Sequence, residues 1–512
     1  MENKKLLIGY NNFEGHCLAD FPDFFEPARK CGGVDFITCH ADQGVEPIPE
    51  QLEKAKLTAA KLKELCDDFI VNFEGSNFER DIVTADGHDW ANREDGTHRV
   101  ILPDGFLDAM NSEGTLAAMM YDEFEHTIIN RNLSIRMAKK GDLPVFPVNG
   151  DGDLDAAAET LDAQLREYVA ELKAKGAPAV VGEHVFPVLF HRFAANGIIP
   201  NFKSQKESIS NVQFAIAAGA ALEYGTPLFN CVDLWYRMTF PGHSPEEMYN
   251  NLKFAYYAGV NRVYVEASSG FYSKNEAGQQ EFNRHGELYT QFVKEYRGKE
   301  RAYDVQDYRP EIGVIRMDDS FWGQGKCFGF WRGILFGDPS LKIKKENKEF
   351  VHIMNLITHG ATGNGGLALS KIEAHSLLPH ISFAPMNGAA VFDEKVGKDK
   401  LESLKLCFLC GHKISEKTLD TVKELVRENG LTVVTTGRLL DAQLYAKVNS
   451  DFCEIKDGEG VWIVVNDFRS SKLKKRVRGF LGADDEIRLP FTTGTVRLKI
   501  KDKGNAIEII ES

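Results

Sequence analysis

Residues 179–203 read AVVGEHVFPVLFHRFAANGIIPNFK. This segment begins with an apolar run that ends in Glu183 and His184, continues as helix-compatible sequence, and finishes with a second apolar run that ends in Lys203. A parallel strand buried on both faces is nearly continuous in apolar residues and becomes polar where it leaves the core. The segment therefore predicts two neighbouring parallel strands joined by a helix.

The same pattern occurs eight times in the first 270 residues, and helix-compatible sequence follows most of the runs. The runs are Leu6–Glu14, Val34–His40, Phe69–Glu74, Leu116–Glu125, Ala179–His184, Ile198–Lys203, Pro227–Asp233 and Val263–Ser268. Eight such units predict an α/β fold built on a (β/α)8 TIM barrel, whose chemistry lies at the carboxyl ends of its strands.

The remaining sequence predicts two further units. Arg297–Arg309 is charged and poor in apolar residues, which marks the exit from a barrel domain covering residues 1–305. A strand at Leu404–Cys410, a helix at Ser415–Asn429 and a strand at Leu431–Thr435 predict a parallel, flavodoxin-like α/β domain over residues 306–445. From Val461 onward apolar and polar residues alternate, and no segment has a convincing helical pattern. Residues 446–512 are therefore predicted to form a small β domain, with Lys472–Arg478 as a solvated edge.

Composition excludes several classes of partner. The chain has 512 residues, with 61 Lys and Arg against 75 Asp and Glu, and the net charge of −14 argues against nucleic acid. No apolar stretch is long enough to cross a bilayer, and Met1–Tyr10 lacks the apolar region of a secretory signal, although a signal already removed would leave the same start. A homo-oligomer is compatible with this composition.

Nine scattered cysteines predict free thiols in a reducing compartment, with the cytoplasm as the default. Cys407 and Cys410 form a CxxC, but they lie in an apolar run and no second Cys or His pair stands at ligand spacing, so burial is the better interpretation. The sequence therefore predicts no metal and no cofactor.

Titratable side chains stand where the apolar runs end. About half are expected to be helix caps or solvated loop residues, but their repeated position at one end of the barrel predicts a site there. The acids and bases are Glu14, His40, Glu74, Asp122, Glu123, Glu125, Glu183, His184, Lys203, Asp233 and Glu266. The predicted substrate-binding residues are Glu14, His40, Glu74, His126, His184, Lys203, Trp235, Tyr236, Arg237, Asp319 and Trp322.

The densest group is Tyr121–His126 at the end of the fourth run. Strand alternation sends Asp122 and Glu123 to opposite faces, although a twist or bulge at a strand end relaxes that rule. A second carboxylate can come from Asp233 on the seventh run or from Glu266, which stands in an apolar strand and therefore needs a partner or a function. A purely structural ion pair with Lys203 or Arg237 is the competing interpretation for Glu266.

Two carboxyl groups in different environments are what glycosidic cleavage requires. Aromatic residues near the strand ends and in the long loops, including Trp90, Trp235, Tyr236, Phe271, Tyr272 and Trp322, offer flat apolar faces to sugar C–H groups. The sequence therefore predicts a glycoside hydrolase with a carbohydrate substrate, with Glu123 as proton donor, Glu266 or Asp233 opposite, and Asp122 nearby. Asp319 reaches this site only if its turn folds over the barrel mouth; an interdomain ion pair or a helix cap is equally compatible.

The domain layout resembles a known family. The barrel is followed by PEIGVIRMDDSFW at residues 310–322, by FLCGHKISEKTLDTVKELVRENGLTVVTTG at residues 408–437, and by a β tail. This order resembles family 42 β-galactosidases among the retaining barrel glycosidases. The resemblance implies an acid/base Glu after Asn at the end of strand four, which is Glu123 here with Asp122 in place of Asn. It also implies a nucleophile Glu on strand seven, where this chain has Asp233, so galactosidase specificity does not carry over.

Other chemistries fit parts of the same pattern. Lys203 could form the Schiff base of a barrel aldolase or lyase, provided that its amine is deprotonated. His40, Glu74, Glu183 and His184 could bind a hydrolytic metal, but the first run lacks the His-x-His usual in barrel metallohydrolases. A non-catalytic carbohydrate-binding protein is a further alternative.

Overall fold

The computed structural model describes most of the chain. The described residues are 4–11, 25–40, 44–73, 82–129, 145–206, 208–234, 242–324, 334–363, 367, 372–373, 376–377 and 381–511. Five predicted site residues lie outside these ranges, namely Glu14, Glu74, Trp235, Tyr236 and Arg237.

The predicted barrel is confirmed as a closed, eight-stranded parallel sheet. Its strands are β1 (Leu7–Asn11), β2 (Val34–His40), β3 (Cys66–Phe73), β4 (Leu116–Tyr121), β5 (Val180–His184), β6 (Ile198–Ser204), β7 (Phe229–Asp233) and β8 (Arg262–Glu266). Strand β8 pairs with β1 and closes the ring, for example at Val263 and Ile8. All carboxyl ends of a parallel barrel meet at one rim, so the polar ends of the eight apolar runs are brought together.

Helices lie between most of the barrel strands. They are α1 (Glu26–Cys31), α2 (Ile48–Lys63), α3 (Phe106–Met110), α4 (Phe124–Ile129), α5 (Leu154–Ala174), α6 (Phe190–Ala195), α7 (Ser210–Tyr224), α8 (Pro245–Tyr257) and α9 (Arg284–Tyr296). Asp153 caps α5 by accepting hydrogen bonds from the backbone N–H groups of Asp155 and Ala156, as its sequence context predicts.

Most of the strands after the barrel form two further sheets. They are β9 (Ile312–Ile315), β10 (Met386–Asn387), β11 (Ala389–Phe392), β12 (Leu406–Leu409), β13 (Thr432–Thr435), β14 (Phe452–Asp457), β15 (Gly460–Val465), β16 (Glu486–Phe491), β17 (Gly494–Lys501) and β18 (Ala506–Glu511). The second sheet has the order β11-β9-β12-β13-β15-β14, parallel except for the edge strand β14. The third has the order β10-β16-β17-β18.

The helices of this half are α10 (Lys345–Ile357), α11 (Glu416–Asn429), α12 (Ala442–Tyr445) and α13 (Ser471–Val477). Helix α11 begins after Ser415, whose side chain accepts from the Thr418 N–H, and ends at Gly430 in the left-handed conformation. Both ends agree with the sequence prediction, because a serine cap and a left-handed glycine are the standard start and stop signals.

Two predictions for the tail are wrong. β14 and β15 extend the second sheet, although the alternating sequence from Val461 onward was assigned to a separate β unit. Lys472–Arg478 is mostly helix α13 rather than an extended edge, because Leu473 and Val477 stand four residues apart and are both buried. We therefore propose that the third domain begins after Val465 instead of at residue 446.

No helix in the described ranges is both long enough and apolar enough to cross a membrane.

Candidate active site

The barrel interior changes from apolar to polar along its axis. A small apolar cluster separate from the main core includes Phe36, Ile70, Ala118, Met120, Val181, Phe229, Cys231 and Tyr264. Side chains two positions apart on a strand share a face. The same interior face therefore carries Asp122 beyond Met120, Glu183 beyond Val181, Asp233 beyond Cys231, and Glu266 beyond Tyr264. These four carboxylates point toward the axis at the carboxyl rim.

Lys203 on β6 lies at the centre of these acids. Its Nζ atom is 2.8 Å from Glu266 Oε2 and 3.1 Å from Glu183 Oε2. The same atom is 3.4 Å from Glu123 Oε1 and 3.8 Å from Asp233 Oδ2. We call these five residues the Lys203 cluster. Residues from strands β5 to β8 and from the end of β4 thus converge on one ammonium group.

Glu123 joins the cluster because the chain turns sharply after β4. The Asp122 N–H still bonds to the Phe73 carbonyl at 3.2 Å, which continues the pairing of β4 with β3. Glu123 then has a φ of 45°, a left-handed conformation that is uncommon for a residue with a side chain. This turn overrides strand alternation, so that Asp122 and Glu123 both interact with interior groups.

His126 fixes the second oxygen of Glu123. Its Nδ1 atom lies 2.9 Å from Glu123 Oε2, and its ring meets Phe186 edge to face with centroids 5.4 Å apart. The Glu123 side chain keeps 25% of its surface exposed, whereas those of Glu183 and Glu266 keep 1% and 3%. Glu123 is therefore the member of the cluster most open to solvent, and His126 orients it.

The deeper acids have partners of their own. The Tyr264 hydroxyl donates to Glu183 Oε1 and accepts from Asn201 Nδ2 at 2.8 Å. The Cys231 thiol donates to Glu266 Oε2 at 3.2 Å. Tyr264 and Cys231 thereby connect the carboxylates to the apolar interior below them, which fixes their positions.

The charges of the cluster are unevenly distributed. Burial would raise the pKa of Glu123, but Lys203 and His126 lower this pKa to about 2. Burial raises the pKa of Asp122 to about 8 and holds those of Glu183 and Glu266 well above the usual range, despite the nearby Lys203. Burial would lower the pKa of Lys203, but the surrounding carboxylates raise it well above its usual value. Lys203 and His126 thus favour the ionised form of Glu123, whereas burial favours the protonated forms of Asp122, Glu183 and Glu266.

These charges bear on metal binding. Among the described residues, Glu183, Cys231 and Glu266 place potential ligand atoms within 4.8 Å of one another. Lys203 Nζ already contacts both of these glutamates and supplies the positive charge that a cation would bring. This donor set therefore does not fit a metal ion, because the metal and the ammonium group would repel each other.

Several predicted substrate-binding residues lie elsewhere. His184 faces away from the axis, stacks on Phe190 at 3.9 Å and bonds through Nδ1 to the Gly182 carbonyl at 2.9 Å. Burial lowers its pKa to about 3. These contacts correct its assignment from substrate binding to packing. The side chain that β5 does direct into the site is Glu183.

The two residues predicted from the second unit are also buried. Asp319 pairs with Arg316, accepts from the Phe321 N–H at 2.9 Å and accepts from Asn347 Nδ2 at 2.7 Å. Trp322 is fully buried and stacks on Phe186, with centroids 4.6 Å apart. Both side chains are buried in this structure, and their role in substrate binding stays a prediction.

His40 lies at the end of β2, where its Nε2 atom is 3.3 Å from Asn11 Nδ2. Its role in substrate binding stays a prediction. Sequence reasoning placed Glu183 among the strand-end acids but did not select it for the site, and it missed Tyr264 and Cys231. The alternation of side chains along β5 and β8 could have identified Glu183 and Tyr264. Glu183 shares a strand face with Val181, two residues away, and Tyr264 shares one with Glu266.

The overall fold of this chain is similar to that of solved structures. No family model matches the sequence, and no curated protein matches it. A β-galactosidase from the haloarchaeon Halorubrum lacusprofundi is 11% identical with a TM-score of 0.55, covering 96% of this chain and 93% of that one. Gan42B, a GH42 β-galactosidase, is 9% identical with a TM-score of 0.52, covering 100% and 96%. The predicted likeness of layout to family 42 enzymes is therefore confirmed as a likeness of fold.

Proposed function

We propose that this chain is a glycoside hydrolase whose carboxyl pair is Glu123 and Glu266. The observation that carries the proposal is that both acids contact one atom, Lys203 Nζ, at 3.4 and 2.8 Å. They therefore meet at one ammonium group at the carboxyl rim of the barrel. The likeness of fold to β-galactosidases supports the same class of reaction without identifying the sugar.

The charges favour a particular division of roles. Glycosidases need one carboxyl group protonated and one ionised. Lys203 and His126 keep Glu123 ionised, whereas burial keeps Glu266 protonated. In our proposal Glu266 donates the proton to the leaving oxygen and Glu123 acts as the nucleophile or base. This reverses the role that the family resemblance implies for Glu123, and Asp233, 3.8 Å from Lys203 Nζ, is the alternative partner.

The spacing favours retention of configuration. The distance between Glu123 Oε1 and Glu266 Oε2 cannot exceed the sum of their distances to Lys203 Nζ, which are 3.4 and 2.8 Å. That limit is below the roughly 6.5 Å at which inverting enzymes begin. NMR of the first-formed anomer checks this expectation, and an inverted product would exclude a covalent intermediate on Glu123.

Two variants test the pair. After a screen of aryl glycosides, we expect Glu123→Gln and Glu266→Gln each to lower kcat by about 10²–10⁴-fold on an unactivated substrate. With a 2,4-dinitrophenyl leaving group, Glu266→Gln should retain cleavage because that group needs no proton, whereas Glu123→Gln should not. The opposite pattern would restore the role implied by the resemblance.

Glu247→Gln is the matched control, because Glu247 also pairs with a lysine, Lys206, but lies outside the cluster. Full activity in both cluster variants would reject Glu123 and Glu266 as the carboxyl pair. Retained sugar binding by a wild-type chain without turnover would favour the alternative of a non-catalytic carbohydrate-binding protein.

The Schiff-base alternative is weaker on electrostatic grounds. An aldolase lysine must lose its proton to attack a carbonyl, and the carboxylates around Lys203 raise its pKa instead. Borohydride trapping with a carbonyl substrate tests this alternative, and a covalent adduct at Lys203 would support it.

We further propose a reducing compartment such as the cytoplasm. The seven cysteines in the described part of the chain are free thiols, which is usual for proteins kept in reducing conditions.

A further inference from the structure

A cavity of about 560 Å³ lies at the carboxyl edge of the second sheet. Thr436 follows β13 and Asn466 follows β15, and both residues line it together with Lys345 at the start of α10. In open α/β sheets ligands bind outside the carboxyl ends of the strands. The volume lies within the range of roughly 300–1,000 Å³ that is usual for small-molecule sites.

An exposed aromatic ring forms one wall. Tyr445 on α12 is 60% exposed, and its ring edge lies against Gly437. A Cβ atom at Gly437 would be 3.0 Å from Tyr445 Cε2, so the glycine allows the ring to approach the turn closely. The ring presents a flat apolar surface to the cavity, and such a surface can remove the C–H face of a sugar ring from water.

An unpartnered hydroxyl forms part of the floor. Thr436 is only 8% exposed, and its Oγ1 atom has no hydrogen-bond partner in the structure. Buried polar groups are almost always paired, so an unpaired one needs an explanation. Thr436 lines the cavity but its Oγ1 atom is itself shielded from solvent, so a rotation of the side chain would let a ligand hydroxyl pair with Oγ1.

The charged wall groups balance one another. Lys345 and Arg438 are matched by Glu346 and Glu349. Arg438 Nη2 lies 3.2 Å from Glu349 Oε2 and also donates to the Gly411 carbonyl at 2.5 Å, which fixes the guanidinium group in place. Balanced donors and acceptors suit a neutral ligand rich in hydroxyl groups better than an anion.

We propose that this cavity is a second, non-catalytic carbohydrate-binding site for a neutral sugar of one or two rings. Tyr445 provides the platform, Thr436 and Arg438 donate hydrogen bonds, and Glu346 accepts them. The site involves no residue of the Lys203 cluster, so it does not depend on the function proposed for the barrel.

Ligand-observed saturation-transfer NMR on the full chain tests the proposal, with galactose, glucose, mannose, lactose and cellobiose as probes. The experiment uses Glu123→Gln protein, so that turnover does not consume the probe. We expect Tyr445→Ala and Thr436→Val to weaken binding of at least one probe by about tenfold or more, equivalent to about 1.4 kcal/mol. Tyr445→Phe should keep the binding, because it keeps the ring.

Leu57→Ala is the matched control, because Leu57 is an exposed apolar side chain on α2, at 64% exposure. Thermal unfolding confirms that each variant is folded. The proposal is overturned if no probe binds, if Tyr445→Ala leaves binding unchanged, or if inorganic phosphate binds in place of the sugars in a Thr436-dependent way. Tyr445→Ala should lose sugar binding in the Glu123→Gln protein and should keep normal hydrolysis in the chain with wild-type Glu123. This result would separate the second site from the catalytic one.

Discussion

Two buried groups of acids in this molecule differ in where their hydrogen bonds go. In the Lys203 cluster, four carboxylates converge on a single Nζ atom. A second group lies where α6 and α7 of the barrel pack against β9 and β11. We call it the junction cluster, and its members are His191, Arg192, Glu223, Asp318, Asp393 and Glu394.

The junction cluster is tied to the backbone. Arg192 Nε donates to the Asp318 carbonyl at 3.0 Å, and His191 Nε2 lies 2.8 Å from the Val391 carbonyl. Glu223 accepts from the Asp393 N–H at 2.8 Å. Such contacts join two parts of the chain through its backbone. The cluster therefore has the character of a structural joint.

The Lys203 cluster has fewer such contacts and one partly exposed carboxylate, Glu123. Burying several acids around one lysine costs stability unless every group is paired. The same arrangement keeps neighbouring carboxyl groups in different protonation states, which acid–base chemistry needs. Backbone partners thus indicate a structural role for a buried acid, whereas convergence of several carboxylates on one ammonium group indicates a functional one.

Lys203→Met should have the largest effect. We expect kcat to fall by about 10²–10⁴-fold, because the variant removes the charge that keeps Glu123 ionised. The pKa of Glu123 should rise, so the acidic limb of the activity profile should move to higher pH. The free energy of unfolding should fall by about 3–5 kcal/mol near neutral pH, and by less in acid, where the carboxyl groups take up protons. A pH profile of kcat/KM and urea unfolding measure these effects.

Lys206→Met is the control for Lys203→Met. Lys206 lies in the loop after β6 and pairs with Glu247 of α8, outside the Lys203 cluster. An unchanged pH profile in Lys203→Met would show that Lys203 does not set the charge of Glu123.

Arg192→Met should separate stability from catalysis. Arg192 Nη1 pairs with Asp162 at 2.7 Å, and the side chain is almost fully buried. Removing it should lower the free energy of unfolding by about 3 kcal/mol, because the acids around it lose their cation. The kcat of the folded fraction should stay unchanged. A large loss of kcat at full folding would contradict the structural role of the junction cluster.

The barrel was predictable because its signal is local. Each strand is an apolar run with a polar end, and closure brings those ends together whatever the helices between them do. Glu266 and Asp233 were therefore found as candidate partners for Glu123. Glu183 was not selected for the site, because the phase of a short strand is ambiguous where it ends, and the adjacent His184 was chosen in its place.

The position of Glu123 could not be derived from alternation. Its left-handed φ of 45° is set by the turn into α4, and the turn lets it interact with the same interior group, Lys203, as Asp122 does. β14 and β15 were misplaced for a related reason: alternation shows that Val461 begins a strand, but not which sheet edge it joins. Pairing partners and strained turns depend on the whole fold.

Glu394→Gln should change how stability depends on pH. Burial and the neighbouring Asp393 raise the pKa of Glu394 from 4.5 to about 8. The folded state therefore holds this proton more tightly than the unfolded state, and its stabilising contribution is complete below about pH 4.5 and lost as pH rises through about 8. The variant should lose less stability across that window, measured by urea unfolding at a series of pH values. Glu402→Gln, at an exposed position, should leave the slope unchanged.

Ala267→Gly should have the smallest effect and should show what the turns beside the Lys203 cluster contribute. Ala267 directly follows Glu266 and has a φ of 59°. Glycine relieves about 1–2 kcal/mol of strain there but costs about 0.4–1 kcal/mol in the unfolded chain, so the net gain in stability should lie between about zero and about 1.6 kcal/mol. Because the freed turn orients Glu266 less firmly, kcat should fall severalfold. Lys503→Gly, at a φ of 52° in the exposed tail, should show a comparable change in stability with normal kcat. Equal kcat values for Ala267→Gly and Lys503→Gly would show that the left-handed turn at Ala267 has no effect on catalysis.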